Sequence, residues 1–394
     1  MLDEKTINII KSTVPVLKTQ GEDITGRFYN LMFQDHPELL NMFNQTNQKK
    51  QTQRAALANA VIAAAANIDQ LEHIIPAVRQ IGYKHTSIGV KPEHYPIVGK
   101  YLLLAIKDVL QGAATPDIMR AWEKAYGVIA DAFIGIENEM YKQAGWQGYK
   151  GFTVIKKMKE SKDITSFYVK PIDGLPLPEF EAGQYISIKV RIADSPYTHI
   201  RQYSLSDASG KGHYRISVKK DGAVSSHLHD HVHEGDVLDI SAPAGDFMLT
   251  PSGKTAVLIS AGAGITPMMG MLKTAAEKQP ERFIIFIHAA KNGDYAAFRK
   301  EAEEAAANNS NVKVIFVYSE PSEQDRSGDK PFYEGRIDQD FLEQLNLKQD
   351  TEYYLCGSAP FMMQMNDMII KLGFDPQSVR YELFGPQLSM AKAN

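Results

Sequence analysis

The chain has 394 residues, which is enough for two to four domains of ordinary size. It is 44% hydrophobic and 23% charged, and its 43 basic and 47 acidic residues give a net charge of −4. This composition excludes a disordered, collagenous or coiled-coil protein, and the charge gives no reason to expect binding to nucleic acid or to an anionic membrane. No apolar run suits a membrane span, and the single cysteine, Cys356, excludes internal disulfides. We expect a cytoplasmic monomer.

Residues 1–145 are expected to form an all-α domain. Apolar residues recur at helical spacing in four segments, which predicts helices over about 52–68, 71–86, 93–111 and 117–142. Polar residues interrupt two of these apolar faces, namely Gln53 and His85. The composition changes near residue 145, and residues 146–151 are interpreted as a linker.

Short β-rich runs and then alternating elements follow the linker. Six strands are predicted at 152–158, 164–170, 185–190, 201–206, 214–219 and 237–242, which favours an antiparallel β-barrel over 151–252. From residue 253 strands alternate with helices, which indicates a doubly wound α/β domain with a parallel sheet. Its predicted strands are 256–260, 283–288, 312–318 and 352–356, and its predicted helices begin at 267 or lie near 295–306, 338–346 and 360–372.

A glycine-rich turn follows the first predicted strand of the α/β segment. Its residues are Gly262, Ala263, Gly264, Ile265, Thr266 and Pro267. Glycines let the backbone approach a pyrophosphate, and the helix that begins here supplies free N–H groups. A plain strand–helix turn has the same pattern, but the position at the first βα turn favours a nucleotide site. Cys356 ends a later strand and either borders the same crevice or is a buried structural cysteine.

The barrel segment contains two further candidate binding motifs. The tetrapeptide RQYS at Arg201–Ser204 combines a cation for phosphate, an aromatic ring for stacking and a hydroxyl. Asp221–Ser226 has the pattern of a second phosphate turn. Each motif alone is also typical of a surface strand or hairpin. The histidines of His227–His233 are interpreted as part of a solvated helix rather than as a zinc or nickel site.

In combination, these motifs resemble the ferredoxin–NADP reductase-like superfamily. The order of the motifs is Arg201–Ser204, Gly222–Ser225, Gly262–Pro267, Cys356–Gly357 and Glu382–Pro386. The helical half resembles a globin, because residues stand in globin order at Tyr29, Pro37, Phe43, Gln53, Leu57 and His85. The fusion is similar to the bacterial flavohemoglobins, which are nitric oxide dioxygenases, and the resemblance covers essentially the whole chain.

The resemblance implies three domains: a globin domain at 1–145, an FAD-binding β-barrel at 151–252 and an NAD(P)-binding α/β domain at 253–394. It implies heme b and FAD as cofactors, with NADH or NADPH as reductant and oxygen and nitric oxide as substrates. Two other functions stay open: an oxygen-binding or sensing heme protein with its own reductase, and a general flavin or ferric reductase. Lys291, Ser319 and Arg326 are available for a 2′-phosphate, but no acidic ribose clamp is evident, so the choice of nucleotide also stays open.

The resemblance also assigns residues to a heme pocket. It makes His85 the proximal iron ligand, with Glu137 and Tyr95 as its hydrogen-bonding network, although Glu137 would also suit a solvated helix edge. It makes Tyr29 the donor to bound oxygen, with Gln53 nearby. Further contacts to the heme are expected from Phe43, Leu57 and Lys84.

The reductase residues are assigned in the same way. The residues expected to hold FAD or its phosphates are Tyr185, Arg201, Gln202, Tyr203, Ser204, Val224 and Ser225. Phe384 is expected to cover the other face of the flavin, with Glu382 nearby. The remaining candidates around the flavin and the nicotinamide nucleotide are Gly262, Ala263, Gly264, Ile265, Thr266, Pro267, Cys356, Leu383, Gly385 and Pro386.

Overall fold

The computed structural model of the chain describes residues 2–43, 52–193 and 195–384. The described residues divide into two compact units. The first contains the residues up to Tyr149 together with Lys189–Arg201, and the second contains Lys150–Ile188 and Gln202–Phe384. No helix in the described ranges has the length and apolar character needed to cross a lipid bilayer.

The N-terminal part of the first unit, up to Gln143, is built from helices. Its α-helices are α1 (Glu4–Asp35), α2 (Thr52–Ala66), α3 (Ile75–Ile88), α4 (His94–Leu110) and α5 (Pro116–Gln143), and short 3-10 helices lie at Pro37–Asn41, Leu71–Ile74 and Gln111–Ala113. The side chains of Asp3 and Thr115 accept hydrogen bonds from the first turns of α1 and α5, as N-cap residues do. α1 packs against α2 and α4, and α3 packs against α5. The pairing of α3 with α5 positions the candidate proximal residues.

The predicted helix over 71–86 is wrong at its start. Residues Leu71–Ile74 form a 3-10 turn, and α3 begins at Ile75. Pro76 lies in the first turn of α3, where a backbone N–H would have no hydrogen-bond partner within the helix, so proline is tolerated there. Gly89 ends the helix with a left-handed φ of 83°, which glycine adopts without strain.

An antiparallel sheet follows the helices, and all of it except Tyr149 and the segment Lys189–Arg201 belongs to the second unit. Its strands are β1 (Tyr149–Lys159), β2 (Ile164–Pro171), β3 (Tyr185–Arg191), β4 (Thr198–Ser204), β5 (Tyr214–Lys219) and β6 (Val237–Ser241), in the order β4-β3-β6-β1-β2-β5. Leu205, directly after β4, bridges Ile216 of β5, so the two end strands meet and close the sheet. Helix α6 (Ala223–His231) follows β5. β1 begins within the predicted linker, and the predicted strand 201–206 lies at Thr198–Ser204, because residue 205 already pairs across to β5.

A parallel sheet forms the rest of the second unit. Its strands are β7 (Ala256–Ala261), β8 (Ile284–Ala290), β9 (Val312–Tyr318), β10 (Tyr333–Glu334), β11 (Glu352–Gly357) and β12 (Val379–Leu383), in the order β10-β9-β8-β7-β11-β12. The helices between them are α7 (Ile265–Lys278), α8 (Arg299–Asn308), α9 (Glu323–Ser327), α10 (Gln339–Gln344) and α11 (Ala359–Lys371). The strand order reverses between β7 and β11, which is where doubly wound sheets bind nucleotides. The predicted fold class is confirmed.

Several element bounds in this sheet differ from the prediction. Helix α8 begins at Arg299 rather than near 295, because Phe298 has a left-handed φ of 57° that no helix continues through. Asp338 caps α10, which is shorter than the predicted 338–346. The short elements β10, β12 and α9 were not predicted, since five residues or fewer give too little periodicity to read.

Candidate functional site

The candidate proximal residues form one hydrogen-bonded cluster. Nδ1 of His85 lies 2.6 Å from Oε1 of Glu137, and the Tyr95 hydroxyl donates to the same oxygen at 2.6 Å. The Glu137 side chain is 3% exposed, so it is not a solvated helix edge. Burial and the Glu137 carboxylate raise the pKa of Tyr95 far above its usual value, so the hydroxyl keeps its proton and donates it.

This cluster determines which nitrogen of His85 can bind a metal. A carboxylate only accepts hydrogen bonds, so Nδ1 of His85 carries the proton that points at Glu137. Nε2 is then the nitrogen that can bind a metal, and no group within the described ranges forms a hydrogen bond to it. The imidazole is 31% exposed, so Nε2 would be able to bind a heme iron.

Neighbouring residues hold the proximal cluster in place. The Tyr126 hydroxyl donates to the carbonyl oxygen of Tyr95 at 2.6 Å. Gly99 allows this, because a Cβ at that position would overlap the Tyr126 ring. The ring of Phe133 lies 6.0 Å from that of His85 and 6.4 Å from that of Tyr95. The imidazole and the phenol are therefore packed as well as hydrogen-bonded.

The candidate distal residues lie on α1, on α2 and just after the Pro37–Asn41 turn. Tyr29 is 5% exposed, and its ring centroid lies 5.6 Å from that of Phe33 and 5.8 Å from that of Phe43. Leu57 packs half-buried against the same core. The side-chain oxygen of Gln53 is buried and has no hydrogen-bond partner within the described ranges, so it fits a pocket that holds a polar ligand. Lys84 is exposed on α3.

The candidate flavin residues lie along β4 and on β3. Arg201 donates to the carbonyl oxygen of Ile200 at 2.8 Å, and the amide of Gln202 donates to Ser187 at 2.9 Å. Tyr203 is half-buried. Ser204 is buried, and its hydroxyl has no partner within the described ranges, so it is available to a ligand heteroatom. Tyr185 on β3 bridges Ala244 through its backbone.

The second candidate phosphate turn opens α6. Val224 and Ser225 are buried in the first turn of this helix. The Ser225 hydroxyl donates to the carbonyl oxygen of Gly222 at 3.0 Å and accepts from the Asp221 amide at 2.9 Å. Ser225 thus shapes the turn, while no side chain caps the helix start. His227–His233 occupies the rest of α6 and the residues after it, and the described residues contain no group of three or more His, Cys, Asp or Glu that could hold a metal.

The glycine-rich turn lies at the carboxyl end of β7, where the strand order reverses. Gly262 has a left-handed φ of 55°, and a Cβ on Gly264 would overlap the carbonyl oxygen of Cys356. The Thr266 hydroxyl donates to the carbonyl oxygen of Ala263 at 3.0 Å. Ile265 and Pro267 are buried at the start of α7. Gly264 thus lets this turn pack against the end of β11, and no side chain caps the start of α7, which fits the helix start that a dinucleotide phosphate requires.

The C-terminal candidates follow β11 and β12. Cys356 is fully buried between Ser260 of β7 and Glu382 of β12, and burial raises the pKa of its thiol. Glu382 and Leu383 are half-buried on β12, and Phe384 is 50% exposed. The candidates Gly385 and Pro386 lie outside the described residues. Cys356 is thus a structural residue of the crevice wall rather than a reactive thiol.

A set of buried charges in the second unit was not anticipated from the sequence. Arg215 on β5 is 1% exposed, and it forms an ion pair with Glu301 of α8. Lys273 of α7 bridges Asp207 and Glu301. The only signal for this cluster in the sequence is an arginine between Tyr214 and Ile216, because its partner Glu301 is 86 positions away along the chain.

Three family models match the chain in sequential order. The globin model matches residues 26–133 and contains the proximal cluster except Glu137. The model of the oxidoreductase FAD-binding domain matches residues 151–249, which include the RQYS motif and α6. The model of the oxidoreductase NAD-binding domain matches residues 258–367, which include the glycine-rich turn.

Full-length relatives share this arrangement. The flavohemoprotein of Bacillus subtilis strain 168 is 69% identical over 399 residues, which cover 100% of both chains. The crystal structure of flavohemoglobin from Malassezia yamatoensis, with bound FAD and heme, has a TM-score of 0.87 at 32% identity over 98% of this chain and 100% of its own. The flavohem-like FAD/NAD-binding domain of nitric oxide dioxygenase from Vibrio cholerae O1 biovar El Tor has a TM-score of 0.56 at 35% identity, over 61% of this chain and 100% of its own. The chain therefore belongs to the flavohemoprotein family and is an oxidoreductase with a globin, an FAD-binding and an NAD-binding domain.

Proposed function

We propose that this flavohemoprotein is a cytoplasmic, monomeric nitric oxide dioxygenase. It oxidises NADH or NADPH and combines nitric oxide with oxygen to give nitrate, with one electron consumed per nitrate and two supplied per reduced nicotinamide. When bound, FAD accepts those two electrons as a hydride and releases them singly, and heme b supplies the iron at which oxygen and nitric oxide combine. The observation that carries this proposal is the His85–Glu137–Tyr95 cluster.

The cluster favours oxygen activation over oxygen storage. The buried Glu137 carboxylate lies 2.6 Å from Nδ1 of His85, so it increases the basicity of Nε2. A more basic imidazole would supply more electron density to the iron of a bound heme, which suits oxygen activation. Tyr95 fixes the carboxylate by a second hydrogen bond at 2.6 Å. A protein that only stores or senses oxygen has no need of such a ligand.

The other candidate residues of the helical unit would surround the heme. Tyr29 donates its hydroxyl to the ligand on the distal side, and Gln53 offers a second polar group there. On the proximal side His85 holds the heme. Further heme contacts come from Phe43, Leu57 and Lys84.

In the reductase, the candidate residues bind and shield the two nucleotides. The RQYS motif, Tyr185 and the first turn of α6 hold FAD, while Glu382, Leu383 and Phe384 border it. The turn at Gly262–Pro267, next to Cys356, holds the nicotinamide nucleotide. We place the domain boundaries at 1–145, 151–252 and 253–394.

The proposal is tested by measuring nitric oxide consumption and nitrate formation with NADH and oxygen. Glu137→Gln keeps the shape of the side chain but removes the charge behind His85, so we expect nitric oxide consumption to fall about 10- to 100-fold. Flavin reduction by NADH should be unchanged, since it does not involve the heme ligand. Glu139→Gln is the matched control, because Glu139 lies on the same helix with a side chain that is 63% exposed.

Two results would favour the other functions. Stable oxygen binding without nitrate formation would indicate an oxygen-binding or sensing protein. Reduction of free flavin or ferric iron as the main activity, unchanged by His85→Ala, would indicate a general reductase.

A further inference from the structure

Four charged side chains link the FAD-binding and NAD-binding parts of the second unit. Asp207 follows the RQYS motif by three residues and forms an ion pair with Lys273 of α7. Nζ of Lys273 also lies 3.2 Å from Oε2 of Glu301 on α8, and Oε1 of Glu301 lies 2.7 Å from a guanidinium nitrogen of Arg215. The charges therefore alternate in sign along a chain that we call the charge bridge: Asp207, Lys273, Glu301 and Arg215.

Two members of the charge bridge are buried and two are partly buried. The side chains of Arg215 and Asp207 are 1% and 7% exposed, and those of Lys273 and Glu301 are 24% and 26% exposed. The Arg215 guanidinium donates to the hydroxyl of Tyr168 at 3.3 Å and to that of Ser206 at 3.2 Å, and it lies 4.8 Å from the centre of the Phe298 ring. Burial opposes the ionisation of Asp207, but Arg215 and Lys273 outweigh it and hold the pKa of Asp207 below its ordinary value.

Helix α7 also approaches the barrel backbone at this point. A Cβ on Gly270 would lie 2.6 Å from the carbonyl oxygen of Leu205, so only glycine fits there. Residues 270 and 273 lie on one face of the helix, since they are three positions apart. The segment Leu205–Asp207 is thus held against α7 both by close packing and by an ion pair.

The two segments that meet in this contact are each continuous in sequence with one candidate nucleotide site. Residues 205–207 continue from the RQYS motif, and α7 continues from the glycine-rich turn. A displacement of α7 along or away from this segment would therefore move one candidate site relative to the other. Replacing a buried ion pair by apolar residues often costs no stability, and in some proteins such pairs select one arrangement of the packed elements.

We propose that the charge bridge positions the nicotinamide against the flavin for hydride transfer, an inference that rests on the proposed function. In this step the hydride leaves C4 of the dihydronicotinamide with both electrons of the C–H bond and bonds to N5 of the flavin. The nicotinamide becomes the oxidised cation and the flavin becomes reduced. Transfer requires the two atoms to be roughly 3–3.5 Å apart, and a misplacement of about 1 Å lowers the rate on the order of 100-fold. The four residues touch neither reacting atom, so they are positioning residues.

The test uses Lys273→Met in the full-length holoprotein, which keeps the aliphatic stem of the side chain and removes its charge. We expect the limiting rate of flavin reduction by NADH to fall about 10- to 100-fold, while the Kd for NADH changes less than about threefold. The long-wavelength charge-transfer absorbance between NAD⁺ and reduced flavin should weaken, because it reports stacking of the two rings. Lys273→Arg, which can restore both ion pairs, should recover most of the rate and the absorbance.

Lys211→Met is the matched control. Lys211 forms an ion pair at 2.8 Å with Glu277, which lies on α7 like Lys273, but the two side chains are 39% and 42% exposed. The flavin reduction rate of the Lys211→Met protein should stay within about twofold of that of the unsubstituted protein, because an exposed ion pair contributes little interaction energy. If Lys273→Met fails to fold or to retain FAD, Asp207→Asn takes its place and the same expectations apply.

The possible results separate this inference from the proposed function. A Lys273→Met or Asp207→Asn protein with a normal reduction rate and normal charge-transfer absorbance would overturn the inference, even if its Tm fell. Failure of NADH to reduce the flavin of the unsubstituted protein would instead overturn the proposed function.

Discussion

Two glutamates on α5 show how single positions decide the chemistry of the helical unit. Glu137 and Glu139 are two residues apart, and on a helix this spacing places them on nearly opposite faces. The Glu137 side chain is 3% exposed and bound to His85, whereas that of Glu139 is 63% exposed and 3.8 Å from Arg79. The sequence alone leaves both environments open for Glu137, because this residue borders the apolar face of its helix.

The hydrogen bond proposed from Tyr29 to bound oxygen can be tested by removing a single hydroxyl. Tyr29→Phe keeps the ring that packs against Phe28, Phe33 and Phe43, so the fold should be unaffected. It removes the donor that we propose for the partly negative oxygen ligand, and a charge-assisted hydrogen bond is worth about 1.5–3 kcal/mol. We expect oxygen to dissociate about 10- to 150-fold faster, with a smaller effect on carbon monoxide, which is a poorer acceptor.

Stopped-flow dissociation rates for the two gases check this prediction, and the rate of flavin reduction by NADH is the internal control. Tyr29 would be only a core aromatic residue if the oxygen rate changed less than about twofold. Gln53, with its buried side-chain oxygen, would then be the next donor to substitute.

At the scale of elements, the carboxyl ends of β8 and β9 indicate which nucleotide fits. Lys291 and Arg326, both candidates for a 2′-phosphate, are paired with carboxylates: Lys291 lies 3.0 Å from Glu320 and Arg326 lies 2.7 Å from Glu334. The Glu320 amide donates to the carbonyl oxygen of Lys291 at 2.8 Å, so the two strand ends are held together. A carboxylate at the end of such a strand accepts a hydrogen bond from the ribose 2′-hydroxyl of NADH and repels the 2′-phosphate of NADPH.

We therefore expect the protein to prefer NADH, and Glu320→Gln to reduce that preference. Removing one negative charge beside a half-solvated phosphate is worth about 1 kcal/mol, which lowers the KM for NADPH about fivefold. The KM for NADH should change less than about twofold, because the hydroxyl can still bind the amide. Steady-state assays with both nucleotides measure the effect, and Glu304→Gln, from an exposed pair on α8, is the control. An unchanged ratio of the two KM values would show that the 2′ position lies elsewhere.

At the scale of the whole molecule, the two compact units each have their own hydrophobic core. Trp122 and Tyr101 lie in the core of the helical unit, and the parallel sheet of the second unit packs apolar residues on both faces. A domain with its own core is able to fold alone. The Vibrio cholerae structure, which spans the FAD/NAD-binding part alone, is a precedent for such a fragment.

A fragment of residues 151–394 should thus fold, bind FAD and oxidise NADH with an artificial electron acceptor. We expect its rate per flavin to lie within about threefold of that of the full-length protein, since the charge bridge and both nucleotide sites are retained. Flavin content and a single cooperative thermal transition are the measurements. A fragment starting at Tyr149, where β1 begins, is the matched control. If only the longer fragment folded, the boundary would move to the start of β1.

Much of the candidate site could be predicted from local sequence, because its residues act within one element or one turn. The glycine-rich turn and the RQYS motif each carry their chemistry within a few consecutive residues, and their neighbours indicate the elements that present them. The start of α8 could not be predicted, since it depends on one left-handed residue, Phe298. The bounds of β4 depend on a bridge to β5, which is a tertiary contact.

The sequence by itself determined the order of domains, the fold class and the polar residues that interrupt apolar faces, because periodicity and composition are properties of neighbouring residues. The family resemblance implied that Glu137 meets His85 across 52 positions, although no local pattern shows it. Only the tertiary structure decided that Arg215 meets Glu301 across 86 positions. Charged residues are usually solvated, and no local pattern marks the few that are buried in pairs. Which charges are buried together depends on how helices and sheets pack, and that packing arises from the whole chain at once.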